Sequence, residues 1–372
     1  MGGTSEAVRQ LCIAALAAGD SAEVAVLDAD GTEWAASASV QCHLLGPAFL
    51  RYAYSPRLVP WLRANASRFD AVIVHGLWQF HAYGAWRALR HGATPYFVFP
   101  HGMLDPWFKR HYPFKHAKKW LYWPWADYRV LRDSSGVLFT CEEERRLARE
   151  SFWLYQAREL VVGFGTAAPP SGRARQQAAF MEALPGLEGK RILLFLGRIH
   201  RKKGCDLLVD GFARVCREHP LAQLVFVGPD DEGWGKELRA RAAQLGIADR
   251  IAWTGMLEGD AKWGAFRAAD AFVLPSHSEN FGLALVEALA CGVPVLISDR
   301  VNIWREIADA GAGFVAPDTA AGVLDLLGHW LSTGAAQRAE MASRATECFA
   351  KHFSSDASHR GIAAAVTRTL SR

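Results

Sequence analysis

The sequence predicts an α/β protein built from two Rossmann-like domains, and three observations support this fold class. The chain has 372 residues, which is more than one ordinary hydrophobic core holds. Short apolar runs alternate with helical patterns along nearly all of it, as in βαβ units with parallel sheets. Residues 163–190 show little periodicity and are rich in proline and glycine, which is typical of a linker between two domains.

The predicted elements follow this alternation in both halves of the chain. In the first half we expect a helix at residues 6–18 and strands at residues 23–27, 71–75, 96–100, 136–140 and 159–162. In the second half we expect strands at residues 191–196, 221–227, 251–254, 271–275 and 294–298, with helices at residues 204–218, 236–245, 261–268 and 281–290. The predicted domains cover residues 1–165 and 166–354, and a last helix within residues 355–372 is expected to cross back to the first domain.

Composition and charge exclude several classes of protein. Apolar residues make up 51% of the chain and charged residues 22%, as in a soluble globular protein, and the net charge of +4 gives no argument for nucleic-acid binding. No run approaches the roughly 18 apolar residues of a membrane span, and the N-terminal residues lack the pattern of a signal peptide. The seven cysteines are scattered without a CxxC pair, which favours reduced thiols in a cytoplasmic protein over disulfides or a zinc site.

The strongest motif for chemistry covers residues 278–287. It follows a predicted strand and is expected to open a helix whose amides, at Asn280, Phe281, Gly282 and Leu283, suit a diphosphate. Glu279 and Glu287 are eight residues apart, a separation of about 12 Å along a helix. One carboxylate can therefore face a sugar while the other holds the ribose of the same nucleotide sugar. For an isolated pair, a helix cap and an ordinary surface charge would be the better interpretation.

Three further positions lie at predicted carboxyl ends of strands, where open α/β sheets bind ligands. In the loop of residues 197–204, Arg198 and Lys203 can converge on one diphosphate and stabilise it as it leaves. The alternative is a solvated basic loop. His101 follows the strand of residues 96–100, and this place favours a catalytic role over the structural role of most lone histidines. His75, in a similar His-Gly turn, is a weaker candidate for acceptor binding.

Residues 107–125 mix aromatic and basic side chains without any acidic one. This mixture suits a membrane interface, where rings lie at headgroup level and cations meet anionic lipid. Packing of the rings into the first domain is an equally good interpretation. The candidate membrane or acceptor residues are Trp107, Lys109, Arg110, Lys115, Lys118, Lys119, Trp120 and Trp123.

The order of these motifs, in the second of two Rossmann-like domains, resembles glycosyltransferase family 4 of the GT-B fold. The family pattern is a GR…KG loop followed by two glutamates separated by seven residues, here Arg198, Lys203, Glu279 and Glu287. The resemblance implies two domains with parallel sheets facing across a cleft. It implies that Arg198 and Lys203 bind the donor phosphates, that Glu279 and His101 lie at the donor sugar, and that Glu287 holds the ribose. Further donor contacts implied by the resemblance are Gly2, Gly3, Leu257 and Lys262.

The glycine pair at the start of the chain departs from the family pattern. In the family, the pair follows the first strand and gives its amides to the donor phosphate, whereas here only Met1 precedes Gly2 and Gly3. We therefore expect the first strand of the N-terminal domain to be absent.

The resemblance also implies the reaction. The enzyme is expected to retain the anomeric configuration by front-face attack, with the leaving diphosphate helping to deprotonate the acceptor hydroxyl. The only DxD-type motif, Asp28-Ala29-Asp30, lies far from the donor loops. We therefore expect no metal and no cofactor apart from the nucleotide sugar.

The expected function is transfer of a hexose to a lipid-linked or polysaccharide acceptor at the cytoplasmic face of a membrane. The expected partners are a nucleotide sugar, that acceptor and an anionic membrane surface, with no nucleic acid. Two alternatives remain open: a soluble transferase acting on a small acceptor, and an inactive GT-B-like binding protein. The sequence does not distinguish uridine from guanosine donors and does not indicate an oligomeric state.

Overall fold

The computed structural model describes residues 3–28, 40–111 and 113–371, which divide into two compact units. Unit 1 comprises Met1–Thr166 and Ser354–Arg372, and unit 2 comprises Ala167–Phe353. All of the paired strands in the described part of both units are parallel, so the predicted α/β class is confirmed. None of the helices within these ranges is long and apolar enough to cross a membrane.

Unit 1 contains a two-stranded sheet and a four-stranded sheet. The small sheet pairs β1, Glu23–Val26, with β2, Gln41–Leu44. The larger sheet has the order β3-β4-β5-β6 and consists of Val72–His75, Tyr96–Phe99, Gly136–Phe139 and Glu159–Val161. Its two central strands are buried along their whole length, which explains why they are continuously apolar rather than alternating.

Seven helices of unit 1 precede Thr166 in the described part of the chain. They are α1 Gly3–Ala17, α2 Leu58–Asn65, α3 Phe80–Leu89, α4 Trp107–His111, α5 Pro113–Tyr122, α6 Asp127–Arg132 and α7 Glu142–Ala148. A short 3-10 turn, Ala66–Arg68, follows α2. The core between α3 and the sheet includes Trp86, Val98 and Trp123.

Unit 2 is built on one six-stranded parallel sheet of order β12-β11-β10-β7-β8-β9. Its strands are β7 Arg191–Leu196, β8 Ala222–Val227, β9 Ile251–Trp253, β10 Ala271–Leu274, β11 Val295–Ser298 and β12 Gly313–Ala316. This is the strand order of a doubly wound Rossmann sheet, in which the order reverses between the first and fourth strands, here β7 and β10.

Helices cover the sheet of unit 2. They are α8 Arg173–Ala183, α9 Cys205–Val215, α10 Trp234–Gln244, α11 Gly259–Ala268, α12 Leu283–Ala290, α13 Trp304–Ala310, α14 Ala320–Ser332 and α15 Ala335–Cys348. Two 3-10 turns, Arg201–Lys203 and Ala248–Arg250, and a π-helical turn, Phe349–Phe353, complete the unit.

The boundary between the two units falls within residues 163–190, which were predicted as a linker, but this segment also contains α8. Only Gln176 and Phe180 of this helix are buried, so its sequence shows little amphipathic pattern. Packing against α11 holds it instead: a Cβ atom on Gly264 would lie 1.9 Å from the Gln176 carbonyl oxygen. An ion pair of 2.6 Å between Arg175 and Asp260 joins the same two helices.

The last helix, α16 Ser355–Leu370, belongs to unit 1. The Ser355 amide donates to the Thr166 carbonyl at 2.9 Å, and His359 pairs with Asp20 at 3.0 Å. At the other end of the chain, α1 begins at Gly3. Gly2 and the region where a preceding strand would lie are outside the described residues.

Candidate active site

The reversal of strand order in unit 2 places two predicted motifs side by side. β7 and β10 are paired, and the chain leaves them toward β8 on one side and β11 on the other. Loops that diverge in this way open a crevice above the carboxyl edge of the sheet, where doubly wound folds bind ligands. Backbone is packed tightly beneath it, since a Cβ atom on Gly228 would lie 2.0 Å from the Gly197 carbonyl oxygen.

The loops that follow β7 and β10 are joined directly. The His277 amide donates to the Lys202 carbonyl at 2.8 Å. Gly204, with φ of 65°, lies so close to the Pro275 carbonyl that a Cβ atom would be 2.2 Å from its oxygen. The Lys203 ammonium forms an ion pair with the Glu279 carboxylate. The structure therefore brings together two residues that the sequence predicts for the donor site, while Arg198 is exposed in the same β7 loop.

Glu279 lies just before the predicted helix of residues 281–290, which begins two residues later than predicted. Its segment is extended: the Glu279 amide donates to the Arg300 carbonyl at 3.0 Å, and its carbonyl accepts from the Asn302 amide at 2.9 Å. The helix α12 begins only at Leu283, because Gly282 with φ of 75° turns the chain into it. Glu279 is thus held extended by the loop after β11, and the helix starts at Leu283 instead of Phe281.

Asn302 is a residue of this site that sequence reasoning missed. It is buried, and its side-chain Nδ2 donates to the Asn280 Oδ1 at 3.1 Å. Its backbone holds Glu279, so Asn302 fixes both predicted donor residues. The sequence signal that could have identified Asn302 is its position just beyond the predicted strand of residues 294–298, at the same edge of the sheet.

A second pair of predicted donor residues also meets. The Lys262 ammonium, on α11, lies 2.6 Å from the Glu287 carboxylate on α12. Leu257 is half-buried in the loop before α11. The Phe281 side chain is buried and its ring packs edge-on against Phe353 at 5.9 Å, so only its backbone amide is left for the predicted diphosphate contact.

The charge of Glu279 depends on its lysine partner. Burial alone would raise the pKa of the Glu279 carboxyl, but Lys203 and the Asn280 amide hold that pKa below its usual value. Glu279 is therefore ionised at neutral pH. Lys203 and Glu279 carry equal and opposite charges. The Lys203 ammonium can therefore exchange its carboxylate partner for a phosphate.

In unit 1, the ends of β3 and β4 bring His75 and His101 together. Nδ1 of His75 lies 2.9 Å from Nε2 of His101, and their rings are stacked with centroids 5.2 Å apart. Burial lowers the pKa of His75 to about 4, and burial together with His75 lowers the pKa of His101 well below its usual value. Both imidazoles are thus neutral, with one proton shared in the hydrogen bond between them.

A buried carboxylate that the sequence analysis missed holds the His101 turn. His101 has φ of 51°, a left-handed conformation that L-residues rarely adopt. The next amide, of Gly102, donates to Oε1 of Glu144 at 2.5 Å, and Oε2 accepts from the Thr140 amide and hydroxyl, both at 2.7 Å. Glu144 therefore links the carboxyl ends of β4 and β5 and fixes the strained turn.

The aromatic and basic segment of residues 107–125 divides between surface and core. Its exposed apolar side chains adjoin exposed lysines, and Trp153 packs against Trp120 with ring centroids 5.8 Å apart. We call this surface the α5 patch; it consists of Lys109, Phe114, Lys115, Lys118, Trp120, Leu121, Trp125 and Trp153. A groove of about 690 Å³ runs along it, lined by Lys109, Pro113, His116, Ala117, Trp120 and Leu121.

Three other candidates from this segment are less exposed than the α5 patch. Trp123 is fully buried and donates its indole N–H to the Leu154 carbonyl, so its assignment to a membrane or acceptor surface is wrong. Lys119 is half-buried, with its ammonium 4.2 Å from the centre of the Trp78 ring. Trp107 is half-buried and stacks on His111. Arg110 lies in α4, but its side chain is outside the described ones.

Asp127 is a buried carboxylate beneath α5. Its Oδ2 accepts from the Trp78 amide at 3.2 Å, and Oδ1 has no hydrogen-bond partner among the residues that the structure describes. Burial raises the pKa of Asp127 to about 7, against the opposing effects of the Trp78 amide and Lys119.

In the described parts of the chain, no group of three or more His, Cys, Asp or Glu side chains is placed to hold a metal ion.

Two protein-family models match the chain. Residues 177–347 match the glycosyl transferases group 1 model, and residues 2–165 match the glycosyl transferase 4-like domain model. Among curated proteins, the D-inositol 3-phosphate glycosyltransferase of Jonesia denitrificans is 32% identical over 218 residues, which cover 53% of this chain and 49% of that protein. The chain spans less than half the length of the curated relatives it matches.

Solved structures match the whole chain. A sucrose-phosphate synthase from Thermosynechococcus elongatus has a TM-score of 0.75 at 20% identity and covers 100% of this chain and 94% of that one. Anabaena HepE in complex with UDP and glucose has a TM-score of 0.74 at 18% identity, covering 99% of this chain and 96% of that one. At such low identity these likenesses establish a shared fold alone.

Proposed function

Because the chain belongs to the group 1 glycosyltransferases, with the GT-B fold, we propose that it transfers a sugar from a nucleoside diphosphate donor bound at the carboxyl edge of the unit 2 sheet. The observation that carries this proposal is the junction of the loops after β7 and β10, where Lys203 pairs with Glu279. Arg198 and Lys203 bind the diphosphate, and Glu279 contacts the transferred sugar. Glu287 holds the ribose, with Lys262 beside it.

The proposed reaction retains the anomeric configuration and needs no metal. Charge on the leaving diphosphate is stabilised by Arg198 and Lys203, which act as preorganised cations. In unit 1, His101 acts as a neutral imidazole, since its pKa is well below the usual value. Nε2 of His101 is hydrogen-bonded to His75. Nδ1 of His101 is therefore the ring nitrogen that contacts the donor sugar in this proposal.

For the acceptor, we favour a lipid-linked or growing polysaccharide substrate used at the cytoplasmic face of a membrane. The α5 patch supports this choice, because exposed rings beside lysines match the apolar and anionic layers of a bilayer surface. A soluble reaction on a small acceptor is the second candidate. It is supported by relatives named for such substrates, including the D-inositol 3-phosphate glycosyltransferases.

A screen of nucleotide sugars for donor hydrolysis tests the core of the proposal. We expect one UDP or GDP sugar to be hydrolysed slowly without acceptor, and the Arg198→Ala variant to lose this activity. If the intact protein neither binds nor hydrolyses any nucleotide sugar, the proposed function is wrong.

Vesicle sedimentation tests the acceptor proposal separately. Each lysine near an anionic surface contributes about 1 kcal/mol, screened over roughly 8 Å at physiological salt. The protein should therefore sediment with anionic vesicles at low salt and be released at high salt. Lys115→Glu combined with Lys118→Glu should abolish sedimentation and leave nucleoside diphosphate affinity unchanged. A protein that ignores anionic vesicles at every salt concentration would make the small-acceptor reaction the better conclusion.

A further inference from the structure

A short hairpin in unit 1, residues 49–54, presents apolar side chains to solvent. Phe49 and Tyr54 exchange two backbone hydrogen bonds, of 2.8 and 3.0 Å. At the tip, Leu50 has φ of 60°, and Ala53 has φ of 55°. The exposed fractions are 88% for Leu50, 54% for Phe49 and 44% for Tyr54.

Leu50 is a poor choice for the stability of this hairpin. A left-handed conformation is unfavourable for an L-residue with a Cβ atom, and glycine or asparagine adopts it with little strain. Its side chain also gains little from burial, because most of it faces solvent. Because Leu50 is unfavourable for both reasons, we infer that it serves an intermolecular contact and not folding stability. In that contact its apolar surface would become buried.

The hairpin adjoins the helix that carries the α5 patch. The Tyr52 hydroxyl is hydrogen-bonded to the hydroxyl of Tyr122, the last residue of α5, and their rings lie edge to face with centroids 5.8 Å apart. The Phe80 amide donates to the Tyr52 carbonyl at 2.8 Å, which ties the hairpin to α3. The exposed Arg51 adds a cation beside the apolar tip, as the lysines do in the α5 patch.

We propose that the hairpin of residues 49–54 is a second membrane-contacting element, which inserts Phe49 and Leu50 among the acyl chains of an anionic bilayer. Arg51 meets the lipid headgroups together with the lysines of the α5 patch. This inference rests on the proposed membrane attachment and adds to it an apolar contact that salt does not screen. Removing an inserted leucine side chain should weaken partitioning roughly ten-fold.

The Leu50→Gly variant separates this role from a structural one. Glycine fits φ of 60° better than leucine, so the variant should melt at the same temperature as the wild type or higher. It should nevertheless bind vesicles of mixed anionic and zwitterionic lipid roughly ten-fold more weakly, and Leu50→Asn should behave in the same way. The matched control is Leu221→Gly, which removes a leucine 53% exposed on unit 2 and should leave vesicle binding unchanged.

The outcomes distinguish the hairpin from the rest of the proposed function. If wild type and Leu50→Gly bind vesicles equally, the hairpin inference is wrong and attachment through the α5 patch stands. If Leu50→Gly melts well below the wild type, Leu50 is structural and the inference is also wrong. If the wild type binds no vesicles, both the hairpin inference and membrane attachment fail, whereas donor hydrolysis still tests the transferase itself.

Discussion

The ion pair between Lys203 and Glu279 leads to a counterintuitive prediction for the Glu279→Gln variant. Both side chains are about one-fifth exposed, 22% for Lys203 and 18% for Glu279, so the pair is only partly screened by solvent. In the free protein, Lys203 is engaged by a carboxylate and must exchange that partner for a diphosphate. Glutamine removes the competing charge. We therefore expect Glu279→Gln to bind UDP or GDP more tightly than the wild type, although it should lose sugar transfer.

The size of the gain follows from the strength of the pair. Partly exposed ion pairs contribute about 1 kcal/mol, so releasing Lys203 should tighten diphosphate binding roughly five-fold. Lys203→Ala should instead weaken binding by about 1.5–3 kcal/mol, the usual contribution of a charge-assisted contact. In the double variant, the gain from Glu279→Gln should disappear, because there is no lysine left to release.

Titration calorimetry with UDP and GDP measures these affinities directly. Glu340→Gln serves as the control, since it removes an exposed glutamate that is ion-paired with Arg344 on α15, away from the donor loops. The reasoning is refuted if Glu279→Gln keeps its melting temperature but binds the diphosphate no better than the wild type. It is also refuted if the double variant gains the same factor as the single one.

Two further predictions concern Asp127 and metal ions. Since the pKa of Asp127 is about 7 in the folded protein and about 4 when unfolded, folding stability falls as pH rises between these values; Asp127→Asn should remove that loss, worth about 2–4 kcal/mol at pH 8. Urea unfolding at pH 5 and pH 8 checks this, and an equal pH dependence of both proteins would contradict it. Sugar transfer should persist in excess EDTA, because no acidic metal motif lies near the donor loops in the sequence; activity that vanished and returned with manganese would contradict the proposed mechanism.

The sequence was most informative where local pattern and tertiary packing agree. The strands of unit 2 were predictable because both faces of its sheet are covered, so segments such as Ala271–Leu274 are apolar throughout. Arg198, Lys203 and Glu279 could be proposed as site residues because ligand sites in such sheets lie at the carboxyl ends of strands. The family resemblance then gave these residues their roles.

The failures arose where contacts distant in sequence decide the structure. The helix predicted from residue 281 begins only at Leu283, because the preceding segment pairs with the loop after β11. Gln176 lies in α8, which could not be recognised as an amphipathic helix because few of its side chains are buried. This helix packs instead into a groove that Gly264 creates on α11. Glu144 resembles its neighbours Glu142 and Glu143 in sequence, and only the fold shows that it turns inward to the Gly102 amide.

The return of α16 to unit 1 determines the order in which the two units can be completed during synthesis. Unit 2 is one continuous stretch, whereas unit 1 needs Ser354–Arg372 at the far end of the chain. On the ribosome, the unit that emerges first therefore has to wait for the last segment, and unit 2 can finish folding before it. Until then, the surface around Val162 that packs against Gly361 lacks its partner. Nascent unit 1 is thus the part of the molecule that most needs protection from aggregation while translation continues.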